Sequence, residues 1–152
     1  MEIYRVSFIG HRTLYNIRSV EDRIERLVRE LLRTKEYVEF YVGRNGDFDQ
    51  CAAAAVKRAQ KAFGNHNSTL ILVLPYPTKD QAYYEEFYDE VCLPIDSKTH
   101  FKAAITKRNE WLVDHSDRLI AYVENRSGGA YLTKKYAEQN GIEIINIAKD
   151  QA

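Results

Sequence analysis

The chain has 152 residues, 45% of them apolar and 29% charged, which suits one soluble domain with a sizeable core and argues against disorder. Lys plus Arg and Asp plus Glu number 22 each, so the formal net charge is zero. Nucleic-acid binders carry a basic surplus to neutralise phosphates, so nucleic acid is not expected as a partner, although a local basic patch has room to form. Cys51 and Cys92 form no C-x-x-C and read as reduced thiols of a cytoplasmic protein. The opening MEIYRVSFIG is too short and too charged for a signal peptide, and no apolar run reaches the length of a membrane span.

In chain order, residues 2–9 read as a strand that stops at Gly10-His11-Arg12. Residues 19–33 form the clearest helix, with Val20, Ile24, Leu27, Val28, Leu31 and Leu32 on one stripe and Ser19 as N-cap. Residues 37–42 are a second strand, ending at Gly43. The loop GRNGDFD, residues 43–49, leads to a helix over 51–63 whose alanines let it sit close to a sheet. Residues 69–74, TLILVL, are apolar without alternation, which marks a strand covered on both faces. It ends at Pro75-Tyr76-Pro77. Residues 78–98 are irregular, acidic and aromatic, with room for a short helix at 81–91. A helix follows over 99–115, with Phe101, Ala104, Ile105 and Leu112 as its apolar stripe and Arg108 lying on that stripe. Residues 118–123 are another double-covered strand, 129–140 a helix stopped by Gly141, and 142–147 the last strand.

This alternation predicts an α/β fold: a Rossmann-like, doubly wound parallel sheet of about five strands, with helices on both faces, forming a single domain over 1–152. Such sheets bind ligands outside the carboxyl ends of their strands, where the strand order reverses. The unusual loops fall at those ends: Gly10-His11-Arg12, Gly43 to Asp49, Pro75-Tyr76-Pro77 and Glu124 to Ala130.

The stretch YVENRSGGAYLTKKYA, residues 122–137, organises the rest. Its order is strand, glycine turn, helix. The glycines Gly128 and Gly129 let backbone N–H groups approach a ligand, and the helix start directs unpaired N–H groups and a positive dipole end at the same spot. A plain turn is the simpler reading of two glycines alone. Arg12 offers a planar fork of donors to phosphate or carboxylate, or else pairs with a carboxylate while His11 caps a backbone carbonyl. Asp49 reads best as an N-cap. Asp47 is open between capping and accepting ribose hydroxyls, and Asn45 and Gly46 shape the turn between them. Arg108 needs a partner because a lone buried guanidinium is costly. That partner is an anionic ligand, with Asn109 orienting the site, or Asp114 or Asp117. Tyr76 and the aromatic residues of 83–88 either stack on a base, act as a lid, or pack a long connection.

Several chemistries are missing. There is no G-x-x-x-x-G-K-[ST] loop, no G-x-G-x-x-G after the first strand and no G-x-S-x-G elbow. The four histidines lack metal-ligand spacing, so no metal is expected, nor any cofactor.

Five segments in order carry a resemblance: FIGHR (8–12), FYVGRNGDFD (40–49), LVLPYP (72–77), KRNEWLVDHSDRLIAYV (107–123) and GGAYLTKKYA (128–137). Together they resemble the YpsA-like branch of the SLOG superfamily, which joins the Lonely Guy phosphoribohydrolases to the DNA-processing Smf proteins. The resemblance runs from Phe8 to about Ile147. It implies a Rossmann-like fold, binding of nucleotides or nucleotide-derived ligands, and a homodimer or larger homo-oligomer. The hydrolase branch carries P-G-G-x-G-T-x-x-E with a catalytic Glu, and an Arg on the preceding helix to which Arg108 is similar. Here Ser127 replaces the Pro, Thr133 sits in a shifted spacing, and Lys135 stands where the Glu is expected. Lys cannot stabilise an oxocarbenium ion or activate water as a carboxylate does, so hydrolysis would need Asp47, Asp49 or Glu124 instead.

The expectation is therefore a domain that binds a nucleotide or nucleotide-derived ligand, with sensing rather than turnover as one use of that binding. Its site would be built from Gly10, His11, Arg12, Gly43, Asn45, Gly46, Asp47, Asp49, Tyr76, Arg108, Asn109, Ser127, Gly128, Gly129 and Thr133. The alternatives are a phosphoribohydrolase or nucleosidase acting on a nucleoside monophosphate, and a structural or partner-binding protein without a ligand.

Overall fold

The computed structural model describes residues 1–148. In chain order the elements are β1 (Ile3–Gly10), α1 (Ile17–Thr34), β2 (Tyr37–Val42), α2 (Asp47–Phe63), β3 (Ser68–Val73), α3 (Gln81–Phe87), β4 (Glu90–Cys92), α4 (Phe101–Asp114), β5 (Arg118–Tyr122), α5 (Gly129–Asn140) and β6 (Glu143–Asn146). The six strands form one sheet in the order β4-β3-β2-β1-β5-β6, and every neighbouring pair is parallel. This is the expected α/β Rossmann-like class, with six strands rather than five.

The extra strand is β4. It lies inside the stretch expected to be irregular, and the short helix there ends at Phe87 rather than 91. Three residues are too few for a period-2 pattern, and what fixes the strand is its neighbour. Asp89 ties the approach to β3, its backbone N–H donating to the Leu70 carbonyl and its carboxylate accepting the Leu70 N–H.

Alternation along β1 divides the core. Val6 and Phe8 enter the larger cluster, with Val20, Ile24 and Val28 of α1 and Ala52, Ala55, Val56 and Ala59 of α2. Ile9 enters a second cluster with Leu119, Ala121 and Ala137 of α5, and Leu112 of α4 packs with Tyr41, Ile71 and Val73 in a third. Apolar side chains on both faces are what near-continuous Val, Ile and Leu runs require, since each face must be covered by helices. The alanines of α2 are buried, as a close approach to the sheet demands.

Three local expectations are corrected. Helix α1 begins at Ile17 after Asn16, so Ser19 lies inside it and is not its cap. Helix α2 begins at Asp47 with Gly46 as N-cap, so Asp49 lies in its first turn and is not the cap. Phe101 is 54% exposed at the start of α4, and the buried positions of that helix are Ala104, Arg108, Asn109, Leu112 and Val113. Among the described residues, no helix is long and apolar enough to cross a membrane.

Candidate ligand-binding site

The chain runs outward from β1 through β2, β3 and β4 on one side, then returns to place β5 and β6 on the other. The order therefore reverses between β1 and β5, and a crevice opens beyond their carboxyl ends. It holds a cavity of about 900 Å³, within the roughly 300–1,000 Å³ range of small-molecule sites.

The β1–α1 loop forms one wall. Gly10 ends β1 against the Phe48 ring. The loop is then fastened to the start of α2: the Asp47 N–H donates to the Arg12 carbonyl at 2.8 Å, and the Asp47 carboxylate accepts the Leu14 N–H at 2.9 Å. Gly46 presses on the same loop. A Cβ at Gly46 would lie 2.5 Å from the Arg12 Cα, so only glycine fits this close approach. Asp47 thus holds the loop and does not line the cavity.

The second wall carries the charge. Arg108, on α4, is 3% exposed. Its Nη1 donates to the Val73 carbonyl at 2.9 Å and its Nε to the Asn109 side-chain oxygen at 3.0 Å. Asp49 lies opposite, its carboxylate accepting the Asn45 N–H at 2.9 Å. Gly43 is wedged between them: a Cβ there would be 2.9 Å from the Asp49 carboxylate and 3.0 Å from Arg108 Nη1. Burial pushes the Asp49 carboxyl up, against the Asn45 N–H and the Arg108 charge, which pull it down. Burial pushes the Arg108 guanidinium down, opposed by Asp49 and Tyr76. Both alternative partners for Arg108 are engaged elsewhere. Asp114 accepts from the Tyr136 hydroxyl, and Asp117 from the Arg5 N–H.

The third wall is the β5–α5 loop. His11 reaches across to it, its Nε2 accepting the N–H of Glu124 at 2.8 Å and of Asn125 at 3.4 Å. His11 therefore accepts backbone N–H groups rather than capping a carbonyl, which places its own ring proton on Nδ1. Tyr122, at the end of β5, meets the His11 ring edge-on at 6.0 Å. Burial raises the Tyr122 phenol, as does its hydrogen bond to Glu124, while a bond to Asn16 lowers it. Helix α5 begins at Gly129 after Gly128, which has φ 95°, a left-handed value that strains any other residue. No side chain caps this helix, and no heavy atom lies within 4 Å of where a Cβ would stand at Gly128 or Gly129. The orphan N–H groups of its first turn thus adjoin open space.

The cavity gathers Gly10, His11, Arg12, Asn45, Gly46, Asp49, Arg108, Asn109, Glu124, Ser127, Gly128 and Gly129 from the expected set. Four expected residues lie outside its lining: Gly43, Asp47, Tyr76 and Thr133. Thr133 is buried and donates to the Gly129 carbonyl at 2.7 Å, bordering a separate small hollow. Tyr84 of the aromatic stretch is buried in the core beneath the Arg44 guanidinium, a packing role. Lys135 is half-exposed, with its ammonium 3.9 Å from Glu138. Sequence reasoning missed Tyr122, Ile105 and the loop residues 13–16, all of which line the cavity. The pattern of β5 signalled burial at Tyr122 but not that this residue borders the crevice. Among the described residues, no three His, Cys, Asp or Glu gather as a metal site.

No family model matches the chain, and no curated protein does. Solved structures do. DNA processing protein A from Streptococcus pneumoniae is similar at 14% identity and TM-score 0.66, over 93% of this chain and 49% of that one. The Helicobacter pylori protein of the same name, described by its single-stranded DNA binding mode, is similar at 16% identity and TM-score 0.65, over 93% of this chain and 63% of that one. The molybdenum cofactor carrier protein from Chlamydomonas reinhardtii is similar at 14% identity and TM-score 0.61, over 94% of this chain and 75% of that one. The chain thus spans about half the length of the pneumococcal protein. These likenesses correct one expectation. A zero net charge is no ground for setting nucleic acid aside, because the H. pylori protein, which contains this fold, is described by its single-stranded DNA binding mode. Charge balance over a whole chain says nothing of one edge of a sheet. The chain shares its fold with these proteins, the Rossmann-like fold that the resemblance of its five motifs implies.

Proposed function

We propose that this chain binds a nucleotide or nucleotide-derived ligand in the crevice between β1 and β5. One observation carries the reading: a buried guanidinium and an uncapped helix N-terminus border the same cavity. Both favour an anion, and the helix start has no side-chain cap. The α5 start and Gly128-Gly129 would hold phosphate, with Arg12 adding an exposed cation. Asp49 and Asn45 would meet sugar hydroxyls. The free cysteines suit a cytoplasmic protein.

The test is thermal unfolding against nucleoside mono-, di- and triphosphates, dinucleotides, ADP-ribose and short single-stranded oligonucleotides. A ligand that binds only the folded state raises the midpoint by mass action, by about 2.7 kcal/mol of stability at a hundred times Kd. A shift confined to one class identifies the ligand. No shift from any of them rejects the reading and leaves a structural or partner-binding role.

A second reading, hydrolysis of an N-glycosidic bond, draws on the carboxylates of Asp49 and Glu124, which border the cavity from different walls. One would activate water for attack at the anomeric carbon while the base leaves with a proton. Release of free base from a bound nucleoside monophosphate, lost in Glu124→Gln, supports it. Binding without release rejects it for that substrate.

A further inference from the structure

We propose that Tyr15 is the stacking platform for a nucleobase in this cavity, a proposal that rests on the nucleotide reading above. Tyr15 lines the cavity and is 99% exposed. A bare tyrosine is ordinary on a loose loop, but this loop is not loose. Leu14 beside it is buried, and its N–H is held by Asp47. Arg12 is held through its carbonyl, also by Asp47. On the other side the Asn16 carbonyl accepts the Val20 N–H in the first turn of α1. Leu14 and Asn16, on either side of Tyr15, are thus tied through their backbones, and the large ring between them stands exposed at the cavity. Among the described residues, no ring and no hydrogen bond engages it.

An exposed ring on a backbone tied at both sides suits the flat face of a base. Stacking is tolerant of base identity because every base has a π-face, and presenting the ring on a fastened loop lowers the ordering cost on binding. A phosphate at the α5 start would leave the base to be placed elsewhere along the cavity, and Tyr15 is its exposed aromatic. The ligand class is therefore a base-bearing nucleotide, free or within a single strand, and not a bare sugar phosphate.

The experiment compares adenosine 5′-monophosphate, cytidine 5′-monophosphate, ribose 5-phosphate and a short oligothymidylate on wild-type protein, Tyr15→Ala and Tyr15→Phe, by calorimetry. Tyr15→Ala should weaken the base-bearing ligands by about 5- to 150-fold, the loss that stacking supplies. It should leave ribose 5-phosphate unchanged, and Tyr15→Phe should restore binding. Loss only for the oligonucleotide assigns the base to a single strand, and loss for the monophosphates assigns it to a free nucleotide. Either result supports the platform. Equal loss for ribose 5-phosphate, no loss for any ligand, or a change confined to sedimentation behaviour overturns it while leaving the cavity reading intact. Wild-type protein that binds none of the four overturns the platform, and the wider nucleotide panel then decides the cavity reading.

Discussion

Two loops in this chain use the same local grammar of strand, glycine turn and helix, with opposite results. In the β2–α2 loop, the space beside Gly43 and Gly46 is filled, by Asp49 and Arg108 at one and by Arg12 at the other. In the β5–α5 loop, the space beside Gly128 and Gly129 is empty. The first uses glycine to let protein touch protein. The second uses it to leave protein touching nothing. A glycine pair read from sequence does not distinguish these cases, because the residue type records the missing Cβ and not what takes its place.

That contrast can be broken most strongly at Arg108. Arg108→Met keeps much of the volume but leaves the Val73 carbonyl, Asn109 and Asp49 without their cation. The expected cost is roughly 3–5 kcal/mol, the range for breaking a buried charged contact, read as a lower urea midpoint. Because Arg108 is bonded to the end of β3, its loss reaches the fold whatever it does for a ligand. The sign of the pH dependence follows from Asp49. Its carboxyl is already raised in the folded state, and losing Arg108 raises it further. The folded state then holds its proton to higher pH than the unfolded chain does. The penalty for ionising buried Asp49 is absent below the ordinary carboxylate range and grows as pH climbs through the raised value. The variant should lose more stability at pH 7 than in mild acid. An equal loss at both would separate Asp49 from Arg108. Adding Asp49→Asn should remove the pH dependence.

Gly46→Ala comes next. The added methyl meets Arg12 backbone at 2.5 Å, and a cost of about 1–3 kcal/mol is expected from overpacking. A normal denaturation midpoint would show that the β1–α1 loop yields easily, against the fastening described for it. His11→Ala deprives the Glu124 and Asn125 N–H groups of their acceptor. Because those groups reach water, a loss near 1 kcal/mol is expected. Faster amide exchange confined to residues 124–128 would show that His11 orders the open loop. The smallest effect on stability belongs to Gly129→Ala. Nothing stands in the way of its methyl, so the midpoint should hold or rise by up to about 1 kcal/mol through lower chain entropy. Nucleotide affinity should nonetheless fall, since the methyl enters the space left for phosphate. Unchanged affinity would move the anion away from α5.

Much of this was legible in the chain because periodicity is a local signal. The two-sided strands 69–74 and 118–123 announced helices on both faces. Arg108 stood out as a charge on a buried stripe, and its burial follows from that position. What stayed hidden depended on distant neighbours. The three-residue β4 exists through β3. Asp47 carries a carboxylate suited to ribose, yet it holds Leu14 and is not among the residues lining the cavity. Tyr15 carries no mark in the sequence at all, because exposure of one ring in a short loop is decided by how its neighbours are tied.

The position of β1 at the reversal of strand order has a consequence for how the molecule assembles. Ile3 pairs with Tyr37 across the α1 crossover, whereas Val6 pairs with Arg118, most of the chain away. Closing the longer loop costs more entropy, so the β1–β2–β3 unit should form first and β5–β6 dock late. The crevice is the seam between the early and late parts. A molecule seated there would act as a rivet across that seam, slowing its opening more than it speeds its closure. Hydrogen exchange with bound ligand should therefore show new protection in β5 and β6, remote from the contacts, as well as at the loops.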